Sequence, residues 1–386
     1  MDIRAMAKEQ EEAVVAFRRE LHAHPELSME EVRTTEKIAA EMEKLGIPYR
    51  RFSPTGLLAE IRGEKPGKTV ALRADIDALP IQEATGLPFA SAEEGKMHAC
   101  GHDTHAAMLM GAARVLCQLR KEIPGTVKLL FQPAEESFEG ARAVIAQGAL
   151  EGVDAIFGLH IIAGQPAGTL LCLKGATMAA ADTFRVTLKG RTSHGAMPEM
   201  GVDATLAAAA VVMNLQSIVS REMPASQSVV MTVGKLVSGT RSNIVSGEAY
   251  MEGTARCFDR EIHEKLPEIF TRIVQSTAAA YRCTAEINYR AMTDVMVNHP
   301  LATEVAYAAA QKAAPDAAMA QVSDAKAMGS EDFAEYTAHT TAGFATLGGG
   351  GEYPQHNERF VVEESALVTG VAFYAQVALE FLGRAD

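Results

Sequence analysis

Between residues 56 and 160 the chain switches repeatedly from strand-length apolar runs to helical periods. Residues 56–61 and 69–76 read as strands, the stretch after Cys100 as a helix to about Leu119, and 126–132 as a strand. A helix near 139–147 and a strand at 155–160 follow. Strands alternating with helices dictate an α/β architecture, with a largely parallel sheet covered on both faces. Open sheets of this kind bind ligands beyond the carboxyl ends of their strands. The polar residues fall at such ends: Asp75 and Asp77, then Glu135 and Glu136, then His160. A helix at 299–314 and a strand near 343–347 resume the pattern.

The middle of the chain follows another rule. Strands at 183–189, 228–236, 248–257 and 284–290, with helices at 203–221 and 260–281, give the order β-α-β-β-α-β. That is the ferredoxin-like α+β arrangement, here with Asp203 as a helix cap. A chain of 386 residues exceeds one ordinary core. The expected organisation is a discontinuous larger domain, 1–180 with 292–386, carrying an inserted domain at 181–291. Two amphipathic helices, 4–22 and 28–46, precede the first strand. Pro25 separates them, Ser28 with Glu31 forms a capping-box pattern, and Gly46 is a stop. His22 and His24 at the helix end read as capping and packing residues.

The net charge of −13, 36 basic against 49 acidic residues, comes without a basic cluster. This argues against nucleic acid and anionic membranes as partners. Five cysteines, an odd number without framework spacing, fit free thiols in a reducing compartment. No apolar leader follows Met1, and no run approaches the roughly 18 apolar residues of a membrane span. A cytoplasmic protein is expected.

Met97-His98-Ala99-Cys100-Gly101-His102-Asp103-Thr104-His105 gathers the densest chemistry just before a helix. Thiolate and imidazole two residues apart suit a borderline-soft metal such as zinc, although such a pair alone equally describes a polar loop with a buried cysteine. Phe131-Gln132-Pro133-Ala134-Glu135-Glu136 ends a strand in adjacent carboxylates. One can ligate a metal while the other acts as general base, or both are a solvated pair at a helix start. His160 closes an apolar strand, and Gly348–Gly351 leads to His356; each histidine alone reads as structural. The glycine run is no Walker loop, since no Gly-Lys-Ser/Thr follows it. In the middle domain, His194 and Asn243 occupy polar turns and Arg256 ends a strand; these types polarise carbonyls and clamp carboxylates.

Laid in order, these pieces resemble the M20 metallopeptidase family, within it the N-acyl-amino-acid amidohydrolase branch of hippurate and auxin-conjugate hydrolases. The resemblance rests on Arg19–Ser28, Arg73-Ala74-Asp75-Ile76-Asp77-Ala78-Leu79-Pro80, His98–Asp103, Phe131–Glu136 and Gly158-Leu159-His160. Ser193–Pro198, Gly329-Ser330-Glu331-Asp332-Phe333 and the His356 loop complete it. It implies a dimetal-hydrolase domain with an inserted lid and dimerisation domain, and two divalent ions per subunit, zinc or else manganese, nickel or cobalt. Cys100 would bridge them, with His102, Glu136, His160 and His356 as further ligands. Glu135 would be the base, and Asp77 would orient a ligand. His194 and Asn243 would stabilise the oxyanion, in this family across a homodimer (or a dimer of dimers), and Arg256 would hold the substrate's α-carboxylate. The implied reaction splits an N-acyl-amino acid, hippurate-like or N-acetyl, into a carboxylic acid and an amino acid. Dipeptidase, carboxypeptidase or N-acetyl-diaminopimelate deacetylase activity, or a silent metal-binding regulator, are the alternatives. Where many relatives carry His-x-Asp, this chain has Asp75-Ile76-Asp77, and His102 makes up the ligand count. His98 and His105 are expected to be structural, and Asp103 to cap the helix that follows.

Overall fold

The computed structural model describes residues 2–384. The chain divides into two compact units. One takes the chain up to Gly175, Val297–Ala325 and the chain from Asp332 onward. The other takes Ala176–Met296 and Lys326–Glu331, so it holds a short second segment that the expected 181–291 boundaries lack.

In the first unit the initial helix is two helices, α1 (Ile3–Glu9) and α2 (Glu11–His22), meeting at Gln10. Helix α3 (Val32–Leu45) starts four residues later than the periodicity suggested. Its free N–H groups are met from outside: the Glu26 carboxylate accepts from Arg33 N at 3.0 Å and Thr34 N at 2.8 Å. The expected capping box does not form, and Ser28 donates to Asp77 instead. Gly46 ends the helix in the left-handed region, φ +66°.

An eight-stranded sheet follows. Its members are β1 (Tyr49–Arg51), β2 (Leu57–Arg62), β3 (Lys65–Asp75), β4 (Pro124–Gln132), β5 (Ala155–Ile162), β6 (Leu170–Leu173), and the strands Ala320–Ser323 and Thr341–Gly348. The order is β1-β2-β4-β3-β5, then 341–348, β6 and 320–323. The centre is parallel, from β4 through β3 and β5 to 341–348. The junctions β1/β2, β2/β4 and 341–348/β6 are antiparallel. Helix α4 (His102–Gln118) links β3 to β4, and α5 (Gly140–Ala146) links β4 to β5. Helix Ala366–Leu382 packs on α4 and β3 and is buried along most of its length. It is apolar on nearly every side, so it lacks the polar stripe by which an amphipathic helix is seen in sequence.

The second unit has strands Ala180–Lys189, Val229–Ser238, Glu248–Cys257 and Thr284–Thr293, and helices Ala204–Ser217 and Arg260–Ala280. Its antiparallel sheet places the second strand at one edge and the fourth at the other, the ferredoxin-like order. Asp203 caps its helix, accepting from Thr205 N and Leu206 N. Phe184, Phe270 and Tyr289 pack together in its core. The stretch Ala204–Glu222 is, by length and composition alone, apolar enough to cross a membrane. Ala207, Ala208, Val211 and Leu215 account for part of that character, being buried in this unit's core.

Candidate metal centre

Strand register brings the chemistry to one rim. Asp75 lies opposite Gln132, Arg73 opposite Gly158, and Thr346 opposite His160. The ends of β3, β4 and β5 therefore meet where α4 begins. Gly101 makes that start possible. Its φ is +92°, and a Cβ there would lie 2.6 Å from Ile161 Cγ2, so only glycine lets the chain turn here with Cys100 and His102 on either side.

Donor atoms of Cys100, His102 and His160 lie within 4.8 Å of one another, and so do those of Cys100, Glu136 and His356. Cys100 belongs to both groups. Its Sγ is 3.4 Å from His160 Nε2. His356 Nε2 is 3.5 Å and His102 Nε2 3.9 Å from Glu136 Oε1. Glu135 joins His102 and Glu136 in a further group.

Hydrogen bonds select which imidazoles have a nitrogen to give. His102 Nδ1 lies 3.1 Å from Asp77 Oδ1, and His160 Nδ1 2.7 Å from the Ile161 carbonyl. Both Nε2 atoms are thereby left as lone-pair donors. His105 is different: Nδ1 bonds Asp75 Oδ1 at 2.5 Å and Nε2 accepts from Ile161 N at 2.8 Å. It has no nitrogen left. Asp75 also takes Arg73 at 2.6 Å, so the nearby Asp75, His102 and His105 grouping holds its own charges.

The pocket fits divalent cations. His102 Nε2 and Glu136 Oε1 are buried without a well-formed hydrogen bond, and sulfur, nitrogen and carboxylate oxygen together are a zinc-type donor set. Burial pushes the Cys100 thiol well up and the Glu136 carboxyl up to about 7, and it holds His160 well down. A divalent charge opposes the first two shifts by stabilising thiolate and carboxylate, and it uses neutral imidazole as it stands.

Behind Glu135 and Glu136 the backbone is held tightly. Ala134 sits at φ +55°, and its N–H donates to Glu31 Oε1 at 2.8 Å. Burial raises the Glu31 carboxyl to about 7. Glu135 is buried and accepts from Asp332 N at 3.3 Å. Asp77 accepts from Glu136 N at 3.0 Å and from Ser28 Oγ at 2.7 Å.

Two expectations change. Asp103 does not cap α4; it lies within the first turn, where its carboxylate takes Arg18 Nε at 2.7 Å and His22 Nδ1 at 2.8 Å. His22 is correspondingly a fully buried member of an ion-pair network, not a helix-end cap. His98 is buried with no hydrogen bond on either ring nitrogen, and burial lowers it to about 4. No role was expected for Arg18, nor for Arg73 beyond its place in the Arg73–Pro80 motif. An arginine inside an otherwise apolar strand was the visible signal for Arg73, whose guanidinium meets Asp75, Gln132 and Asp332.

In the second unit, His194 pairs with Ile244 in a two-stranded ribbon, and Gly195 N donates to the Asn243 carbonyl at 2.7 Å. His194 and Asn243 thus share one tip. His194 Nδ1 accepts from Ala196 N at 3.1 Å. Arg256 is half-buried on the strand Glu248–Cys257, with Nη1 on Ser330 Oγ.

Residues 71–380 match the model of peptidase family M20/M25/M40. The N-acetylcysteine deacetylase of Bacillus subtilis (strain 168) is 39% identical over 371 residues, covering 95% of this chain and 96% of that protein. The N-acyl-L-amino acid amidohydrolase of Geobacillus stearothermophilus is 40% identical over 290 residues, 75% of this chain and 78% of that one. Among solved structures, the Bacillus subtilis YXEP protein, described as a dinuclear metal binding peptidase from the M20 family, superposes with a TM-score of 0.85. It is 36% identical, over 98% of this chain and 100% of that one. Likeness at this level and over this length makes the chain a metal-dependent amidohydrolase belonging to peptidase family M20/M25/M40.

Proposed function

We propose that the protein hydrolyses N-acyl-amino acids, hippurate-like or N-acetyl, to a carboxylic acid and a free amino acid. The observation that carries this is the pair of donor groups sharing Cys100 with Glu135 beside them, together with relatives whose names include N-acetylcysteine deacetylase and N-acyl-L-amino acid amidohydrolase. Cys100, His102, Glu136, His160 and His356 would hold two divalent ions. Bound there, such ions supply Lewis acidity to the amide carbonyl and acidify water.

The chain's own groups do the rest. Glu135 takes the proton from the attacking water and returns it to the leaving amine. Asp77 keeps His102 in the tautomer that points Nε2 inward, and it fixes the backbone of Glu136. His194 and Asn243 stabilise the oxyanion, and Arg256 receives the α-carboxylate as a fork. We also assign the second unit the role of lid and homodimer interface, with His194 serving the partner subunit. Leu206, Met213 and Val219 are exposed on the 204–222 stretch and Leu236 and Val237 on the edge strand, which supports such an interface. A cytoplasmic location fits the free thiols.

The test is a substrate panel on metal-loaded protein: N-benzoyl-, N-acetyl- and long-chain N-acyl-amino acids against dipeptides and N-acetyl-diaminopimelate. Turnover of the acyl-amino acids at ten or more times the dipeptide kcat/KM is expected, a gap of about 1.4 kcal/mol in barrier. Preference for dipeptides contradicts the assignment.

A further inference from the structure

The two donor groups differ in how they are held. His102 is fully buried and His160 is mostly so, whereas the His356 side chain is 56% exposed. His356 also sits at φ +65°, in a stretch without helix or strand between Gly348 and Ala366. At that φ a non-glycine backbone is strained. Near the ligand the stretch is tied by His356 N to the Ala99 carbonyl at 2.8 Å and Gln355 Nε2 to the Ile161 carbonyl at 3.0 Å.

At its far end the stretch is tied to α2 through Arg18 and Arg19. Arg19 grips both oxygens of Glu364, Nε at 2.9 Å and Nη2 at 2.6 Å. Arg18 Nη1 reaches the same carboxylate at 3.3 Å, while its Nε bonds Asp103, the residue after His102, at 2.7 Å. One buried guanidinium therefore spans the segment with the inner ligands and the segment with the outer one. Phe89 faces both guanidinium groups, at 4.9 and 4.8 Å, and Ala84 N donates to the Glu358 carbonyl at 2.8 Å. Arg18 keeps Asp103 as its nearer partner and the Arg19 side chain is about half exposed, so the junction holds the position of the stretch while contributing little to the stability of the fold.

We propose that Glu364, held by Arg19 and Arg18, is a clasp that positions His356, and that its Arg19–Glu364 half sets the affinity of the outer cation far more than that of the inner one. The clasp is a positioning device, and it rests on the reading of His356 as a ligand. Without it, cation binding has to order the His356 stretch as well, and affinity falls by that amount.

The experiment is a cobalt(II) titration of metal-stripped full-length protein, followed by calorimetry and thiolate-to-cobalt absorption, alongside thermal unfolding of the same samples before metal is added. Glu364→Gln and Arg19→Ala are expected to weaken the second binding event roughly tenfold or more. The first event and the unfolding midpoint stay as in the parent, and Arg19→Lys recovers part of the loss. Equal weakening of both events together with a lower midpoint overturns the clasp in favour of a general structural role. Parent-like affinities in both variants also overturn it, provided His356→Ala has lost one cation. If His356→Ala instead binds two cations as the parent does, the assignment of His356 as a ligand is what fails.

Discussion

Asp77 shows how one buried carboxylate can set two donors at once. One oxygen faces His102 Nδ1 and the other accepts from Glu136 N and Ser28 Oγ. Its carboxyl is held below the ordinary range because, although burial raises it, His102 and Ser28 lower it further. Asp77→Ala is therefore expected to weaken cation binding by about 10- to 100-fold, measured by competition with a chromophoric chelator. Unchanged affinity would remove Asp77 from its orienting role. Cys100, His102, Glu136 and His160 lie near the end of an apolar strand or the start of an apolar helix and His356 in a glycine-rich loop; alone each reads as structural, and the resemblance to the M20 family is what marks them as a set of proposed donors. The residues that hold them were not legible in sequence. Arg18 meets partners 85 and 346 positions away, and no local pattern carries such a pairing.

At the scale of elements, the central strands and the helices between them were readable because burial and periodicity agree there. The beginning of α3 was not. Ser28 looks like a cap by spacing, yet Glu26 folds back over the free N–H groups while Ser28 is drawn to Asp77. The strands Leu170–Leu173 and Ala320–Ser323 are too short to show a period. In the second unit, the helix Arg260–Ala280 is pinned by His263, whose Nε2 lies 2.7 Å from Asp182 Oδ1 and Nδ1 3.2 Å from Asp294 Oδ1. Burial lowers His263, but the two carboxylates outweigh it and raise the imidazole from 6.5 to about 9. A raised histidine contributes its full stability below the unfolded pKa near 6.5 and loses it as pH climbs through about 9. Urea unfolding of this unit should lose on the order of 2 kcal/mol between pH 6.5 and 9.5, and His263→Gln should be less stable at pH 6.5 and flatter across the range. A parent profile as flat as the variant's would rule the pair out as a stabilising element.

For the whole molecule, the chain runs nearly the full length of the N-acetylcysteine deacetylase and of the dinuclear peptidase that it resembles. Its α/β unit supplies both donor groups and Glu135. The ferredoxin-like unit carries His194, Asn243 and Arg256. The order of elements was legible because each unit buries its strands by its own rule, parallel in one and antiparallel in the other. Acyl-group preference was not, since it depends on side chains that no spacing rule places. In the proposed reaction Glu135 carries the proton while its neighbours hold the metal. Turnover and metal content of Glu135→Gln, measured on one preparation, test it most directly. Two divalent ions per chain, as in the parent, and a kcat lower by roughly 10²- to 10⁴-fold are expected; parent turnover with the metal in place would remove Glu135 from the reaction.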